Sequence, residues 1–249
     1  MSGRSFFFIA FILAILSGYF LGSRLPTNAQ APKFLSNIHP EKTFATTVYK
    51  PFAVVLYAHN DADWCTKALR SVFEQEYERI RLFFIDDASS DTTFAIAQNF
   101  ILENQQQHRV ILMRNEEPLG YRASLERVAL QCGHDELVIP FSARNWLALP
   151  TLLSRLNQIF QNPDVWIAYG QAIRYPTYEI KALPSRETAE KIGHSSSFLT
   201  APACFYASLF QGSISDLFLR SEGRFVFLNE PFLFENAAVP FSETLANNE

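Results

Sequence analysis

The chain has 249 residues, enough for one large domain or two small ones, and its composition of 48% hydrophobic and 18% charged residues excludes a disordered polymer. With 21 basic against 25 acidic side chains the net charge is −4, which speaks against the basic face of a nucleic-acid binder. The three cysteines, Cys65, Cys132 and Cys204, are odd in number, far apart and without a C-x-x-C pair. Neither a disulfide framework nor a zinc site is expected from them, and each reads as a small buried apolar residue.

Residues 1–22 hold Arg4 and then the uncharged run FFFIAFILAILSGYFLG over 6–22. As a helix this run is ~26 Å long, close to the ~30 Å hydrocarbon core of a bilayer. It is apolar on every face, unlike a core helix of a soluble domain, and predicts a single-pass membrane anchor. A cleaved signal segment is the alternative, with Ala29, Gln30 and Ala31 as the small-residue cleavage motif. Arg4 before the run and Arg24 and Lys33 after it nearly balance, so the side of the membrane stays open. Residues 23–50 are polar with scattered proline and predict a linker.

The domain is expected over 51–240. Phe52–Ala58 is a short continuous apolar run, as expected of a strand buried on both faces. Helical spacing follows over 61–75, with Asp61 or Asp63 placed to cap its start. Further strands are predicted at 81–85, 110–113, 136–141 and 165–169, and helices at 92–103, 121–131 and 148–160. This alternation implies right-handed βαβ units and a mainly parallel central sheet with flanking helices. In such sheets ligands bind beyond the carboxyl ends of the strands. The residues just after each strand therefore come forward: Tyr57, Ala58, His59 and Asn60, then Asp86 and Asp87, then Arg114 and Asn115, then Ser142 to Asn145. A dinucleotide-binding doubly wound fold shares this pattern, but no G-x-G-x-x-G follows the first strand.

The stretch AVVLYAHNDADWCTKALRSVFEQEYERIRLFFIDDASSDTT resembles the opening of family 2 glycosyltransferases. The matching positions are Asn60, Ser71, Val72, Gln75, Tyr77, Asp86, Asp87, Ser89, Asp91 and Thr93, and Asn115 and Gly120 fit the next segment. The resemblance is good over about 51–175 and looser over 195–238. It implies a GT-A-like α/β fold with a Rossmann-like nucleotide-binding half. It also implies a nucleotide-sugar donor (UDP-sugar-like) and transfer to the hydroxyl of a glycan or lipid acceptor.

That chemistry has three needs. The nucleotide must be held, and the resemblance assigns Asp87 to the base, with Tyr57, His59 and Asn115 beside it; a carboxylate accepting a base N–H makes a charge-assisted bond. Asp91 reads as a helix cap rather than a ligand. The leaving diphosphate needs positive charge. Where the family carries a metal-binding D-x-D, this sequence has Ser142 and Arg144, which cannot hold a hard cation. No metal is expected, and Arg144 is the candidate to pair with the diphosphate directly. An inverting transfer needs a carboxylate base, for which Glu230 is the candidate after a strand near 227, with Glu235 and His194 behind it. Residues 176–200 are expected to form an acceptor-side loop. Two other readings stay open: a catalytically inactive GT-A-fold binding or scaffold module, and an unrelated α/β enzyme.

Overall fold

The computed structural model describes residues 48–181, 203–209 and 225–237. The anchor at 1–22, the linker up to 47, His194 with its loop, and the segment 210–224 lie outside the described residues.

Strand β1, Phe52–Ala58, is buried along its whole length. It sits between β2, Ile80–Asp86, and β4, Leu137–Ser142, parallel to both, and β3, Val110–Arg114, adds in parallel beyond β2. A strand covered on both faces has no polar side to alternate, which is why β1 reads as a plain apolar run. Its side chains divide by the period of two. Phe52, Val54, Leu56 and Ala58 face a core shared with helices α1, Cys65–Phe73, α2, Thr93–Glu103, and α4, Leu152–Ile159. Ala53 and Val55 face the other side, where α3, Gly120–Ala129, contributes Leu125 and Val128. Each buried leucine of these faces stabilises the fold by about 1.5–3 kcal/mol.

The expectation of a mainly parallel sheet needs correction beyond β4. The described strands run in the order β3-β2-β1-β4-β8-β6-β9-β5, with β7 beside β6. Here β5 is Trp146–Leu147, β6 Ile167–Tyr175, β7 Glu179–Lys181, β8 Ala203–Tyr206 and β9 Phe225–Asn236. β8 is antiparallel to both β4 and β6, and β5 is antiparallel to β9. The sheet is therefore mixed. Strands β5, β7 and β8 are only two to four residues long and leave no periodicity to read. Strand β9 spans 225–236, so Glu230 lies inside a strand and not after one; a bulge near Gly170 and Gln171 of the paired β6 falls at this point.

Helix α1 starts without the predicted cap. Trp64 occupies the N-cap position with no side-chain bond, because the Asp61 carboxylate is engaged elsewhere. Helix α2 has Thr92 at its N-cap, without a side-chain cap bond; Asp91 lies one residue earlier, and its carboxylate accepts the Thr93 N–H at 2.9 Å and the Thr93 hydroxyl at 2.5 Å. Cys65 and Cys204 are buried, whereas Cys132 is half-buried, and all three are free thiols. Burial pushes the Cys65 thiol up to about 11, which keeps it protonated and unreactive at neutral pH. Among the described residues no helix is long and apolar enough to cross a membrane.

Candidate functional site

The register of the parallel strands builds the site. Ala58 pairs with Asp86, Asp86 with Arg114, and Tyr57 with Ser142, so four strands end at one level. The backbone carries the ladder one residue further: Asp87 N–H donates to the Ala58 carbonyl, Asn115 N–H to Asp86, and Ala143 N–H to Tyr57. His59, Asp87, Asn115 and Arg144 emerge side by side for this reason, although up to 85 positions separate them in the chain.

Asp87 is the centre of the cluster and only 1% exposed. One carboxylate oxygen accepts from Asn115 Nδ2 at 2.6 Å and from the Leu119 N–H at 2.8 Å. The other accepts from the Tyr57 hydroxyl at 2.7 Å and from the Gly120 N–H at 2.9 Å. Gly120 has φ +82°, a left-handed conformation that admits glycine at little cost and turns the chain so that both N–H groups aim at the carboxylate. Burial raises the Asp87 pKa, but the bonds from Tyr57, Asn115, Leu119 and Gly120 outweigh it and hold the group below the usual carboxylate range. Burial, with Asp87 as partner, pushes the Tyr57 phenol upward, so it stays a donor. Asn115 is in turn held by Arg127, whose guanidinium donates to its Oδ1 at 2.6 Å.

His59 closes the cluster on its solvent side. Its Nδ1 lies 2.7 Å from the Asp87 carbonyl. A carbonyl only accepts, so Nδ1 carries the proton. Nε2 is then the acceptor facing Asn60 Nδ2 at 3.3 Å. The orientation of Asn60 follows from its Oδ1, which accepts the Ser90 N–H at 2.9 Å. Asn60 has φ 56°, a conformation asparagine tolerates.

Arg144 joins from the end of β4. Its Nε donates to Asp61 Oδ1 at 2.5 Å and its Nη2 to the His59 carbonyl at 3.1 Å. The pair is deeply set, with side-chain exposures of 14% for Arg144 and 2% for Asp61. Burial raises the Asp61 pKa despite the opposing pull of the His59 N–H and the guanidinium. Asp61 is the site residue that sequence reasoning missed. It reads as a helix cap in one dimension, and only the β1–β4 pairing brings it to Arg144.

A divalent cation does not fit the residues at the end of β4. Ser142 offers a neutral hydroxyl, which accepts the Arg144 N–H at 3.3 Å, and a guanidinium repels a cation. Glu230 is not joined to this cluster. Its carboxylate takes a two-pronged contact from Arg155 of α4, at 2.7 and 3.4 Å, with both side chains near half exposed. Asp86 is fully buried and faces Arg114 at 3.2 Å. A cavity of about 610 Å³ lies at the opposite, amino-terminal edge of the sheet, lined in part by Lys50, His134, Trp166 and Tyr206. It holds none of the predicted site residues.

A mixed sheet with three helices on one face and one on the other, and polar residues gathered at the carboxyl strand ends, defines an α/β domain of the GT-A type. The family model for glycosyl transferase family 2 matches residues 53–205, more than half of the sequence, and the chain belongs to that family. Among solved structures, residues 1–349 of S. aureus TarS in complex with UDP superpose with a TM-score of 0.58 at 14% identity, over 75% of this chain and 60% of that one. The same fragment in complex with UDP-GlcNAc gives 0.57 at 14% identity, over 75% and 58%. The mannosyltransferase PcManGT from Pyrobaculum calidifontis, in complex with GDP-Man and Mn2+, gives 0.58 at 16% identity, over 79% and 59%. At these identities the likeness is one of fold, and this chain spans about three fifths of the length of those neighbours. No curated protein sequence matches the chain.

Proposed function

We propose that the chain is a nucleotide-sugar-dependent glycosyltransferase that holds the donor's diphosphate with Arg144 in place of a metal ion. The observation that carries this reading is the position of Arg144. It sits at the carboxyl end of β4, bonded to Asp61 and to the carbonyl of His59, whose ring meets the Asp87 carbonyl. Positive charge is what a departing diphosphate requires, and a guanidinium supplies it to phosphate oxygens in a planar, two-pronged geometry. The solved neighbours in complex with UDP, UDP-GlcNAc and GDP-Man support a nucleoside-diphosphate sugar as donor. His59 is the side chain of the nucleotide set that retains solvent-facing surface; Tyr57, Asp87 and Asn115 are buried and serve as its foundation. The uncharged run over 6–22 supports tethering of the domain to a membrane.

The test is a calorimetric titration of UDP with EDTA present, in wild type and in Arg144→Ala and Arg144→Lys. The reading expects metal-free binding that weakens at least tenfold in Arg144→Ala and is partly kept by Arg144→Lys. Equal affinity in wild type and Arg144→Ala overturns it.

A second reading, a binding module without transferase activity, is favoured by the pairing of Glu230 with Arg155, away from the residues gathered around Asp87. UDP binding together with an absence of both sugar transfer and donor hydrolysis selects it.

A further inference from the structure

The cavity of about 610 Å³ lies where β1, β4 and β6 begin and β8 ends, at the edge of the sheet away from Asp87 and Arg144. Its size is that of a pocket for a small molecule or a headgroup. Phe160, Trp166 and Tyr206 give it aromatic walls, and Val48 adds an aliphatic one. Phe160 is buried and meets the Tyr206 ring edge-on at 5.4 Å, so this wall is backed by the core.

Side chains of both charge signs line the same cavity. The half-buried Lys50 places its ammonium over the Tyr206 ring, 5.2 Å from the ring centre, and Asp135 stands exposed at the mouth. Among the described residues neither forms an ion pair, with the other or with any third group. An ammonium held against an aromatic face with no carboxylate beside it keeps its charge for a ligand. The backbone that carries Lys50 is pinned from both sides. Gln161 accepts the Val48 N–H at 3.0 Å and donates to the Val48 carbonyl at 2.7 Å. Asn157 accepts the Lys50 N–H at 3.0 Å, and the Tyr77 hydroxyl donates to the Lys50 carbonyl at 2.8 Å. None of these bonds uses the Lys50 side chain.

Apolar walls with a cation and an anion beside them match a molecule with an apolar body and a zwitterionic head. A phospholipid of the phosphoethanolamine type has that form. Its phosphate suits Lys50, its ammonium suits Asp135 and the aromatic faces, and its acyl carbons suit the apolar walls. The surroundings favour a lipid over a soluble zwitterion. Val48 and Tyr49, 57% and 61% exposed, stand at this edge. Lysine, tyrosine and tryptophan are the side chains that set an apolar body and a polar tip at a membrane surface. The chain enters the domain through Val48, and only residues 23–47 separate that point from the uncharged run at 6–22.

We propose that this cavity holds the headgroup and first acyl carbons of a zwitterionic membrane phospholipid, its phosphate on Lys50 and its ammonium at Asp135. The site is separate from the nucleotide cluster and does not rest on the transferase reading.

The experiment places the full chain in phosphatidylglycerol vesicles and titrates in phosphatidylethanolamine brominated on its acyl chains. Bromine quenches only nearby indoles. The chain's three tryptophans are Trp64, Trp146 and Trp166, so the apolar run contributes no emission, and the quenching that Trp166→Phe removes belongs to the cavity. The Trp166 emission is expected to fall saturably, and at a lower lipid fraction than with brominated phosphatidylglycerol in the same vesicles. Lys50→Gln and Asp135→Asn are each expected to raise the half-saturating fraction at least about fivefold. Lys50→Gln leaves the pinning bonds in place, so it keeps the test valid if Trp166→Phe disturbs the fold. No saturable quenching, equal quenching by the two lipids, or an unchanged half-saturating fraction in Lys50→Gln overturns the proposal. Displacement of the brominated lipid by free phosphoethanolamine overturns the lipid assignment, because the cavity then takes a soluble zwitterion.

Discussion

Truncating Arg144 to alanine leaves Asp61 as a carboxylate with 2% side-chain exposure and no cation beside it. Breaking a buried pair by removing one partner is destabilising by about 3–5 kcal/mol, since the remaining charge is desolvated without compensation. Asp61 keeps the His59 N–H at 3.0 Å and its backbone N–H bonds to Thr93 Oγ1 at 2.8 Å, so the low end, about 3 kcal/mol, is expected near neutral pH. The loss depends on pH with a definite sign. The Asp61 pKa is already raised in the folded chain, burial being the largest cause, and the variant loses the lowering contribution of the guanidinium. The folded state then binds the proton more tightly than the unfolded state. Between the unfolded value and the higher folded value, stability falls as pH rises, by at most about 1.4 kcal/mol per pH unit, and it is regained as pH drops through that window. Urea unfolding of wild type and Arg144→Ala at about pH 5 and about pH 8 measures this. The deficit of the variant should be larger at the higher pH, and Asp61→Asn added to Arg144→Ala should remove most of the pH dependence. A deficit under about 1 kcal/mol, or one equal at both pH values, would refute the account of a buried, charge-compensating pair.

Gly170→Ala places a Cβ 2.9 Å from Phe232 Cβ and 3.1 Å from its Cδ2, atoms fixed close to the β9 backbone, so the strand must shift; a destabilisation of about 1–3 kcal/mol is expected by denaturant unfolding. Glu230→Gln breaks a half-exposed ion pair and should lower stability by less than about 1 kcal/mol. In a transfer assay this variant is expected to stay near wild type, whereas a fall of about a hundredfold or more would return Glu230 to the role of base.

The sequence by itself determined the parallel half of the sheet and the residues at its carboxyl strand ends. Continuous apolar runs, helical spacing and the positions immediately after each strand name Tyr57, His59, Asp87, Asn115 and Arg144. Register then brings them together, because parallel strands of similar length end at one level. That Ser142 and Arg144, and no acidic residue, stand at the end of β4 is likewise visible in one dimension. What only the tertiary structure decided is which of these groups are spent on one another. Asp87 has four internal donors, because the left-handed turn at Gly120 folds two N–H groups onto it. Asp61 grips Arg144 because β1 and β4 are neighbours, a fact of strand order that no local pattern encodes. Glu230 faces Arg155 because β9 runs through 225–236 with a bulge beside it, and short antiparallel strands such as β5 and β8 carry too few residues to announce their pairing. Local propensity and periodicity act over a turn or a strand, while partners chosen across the sheet depend on the path of the whole chain.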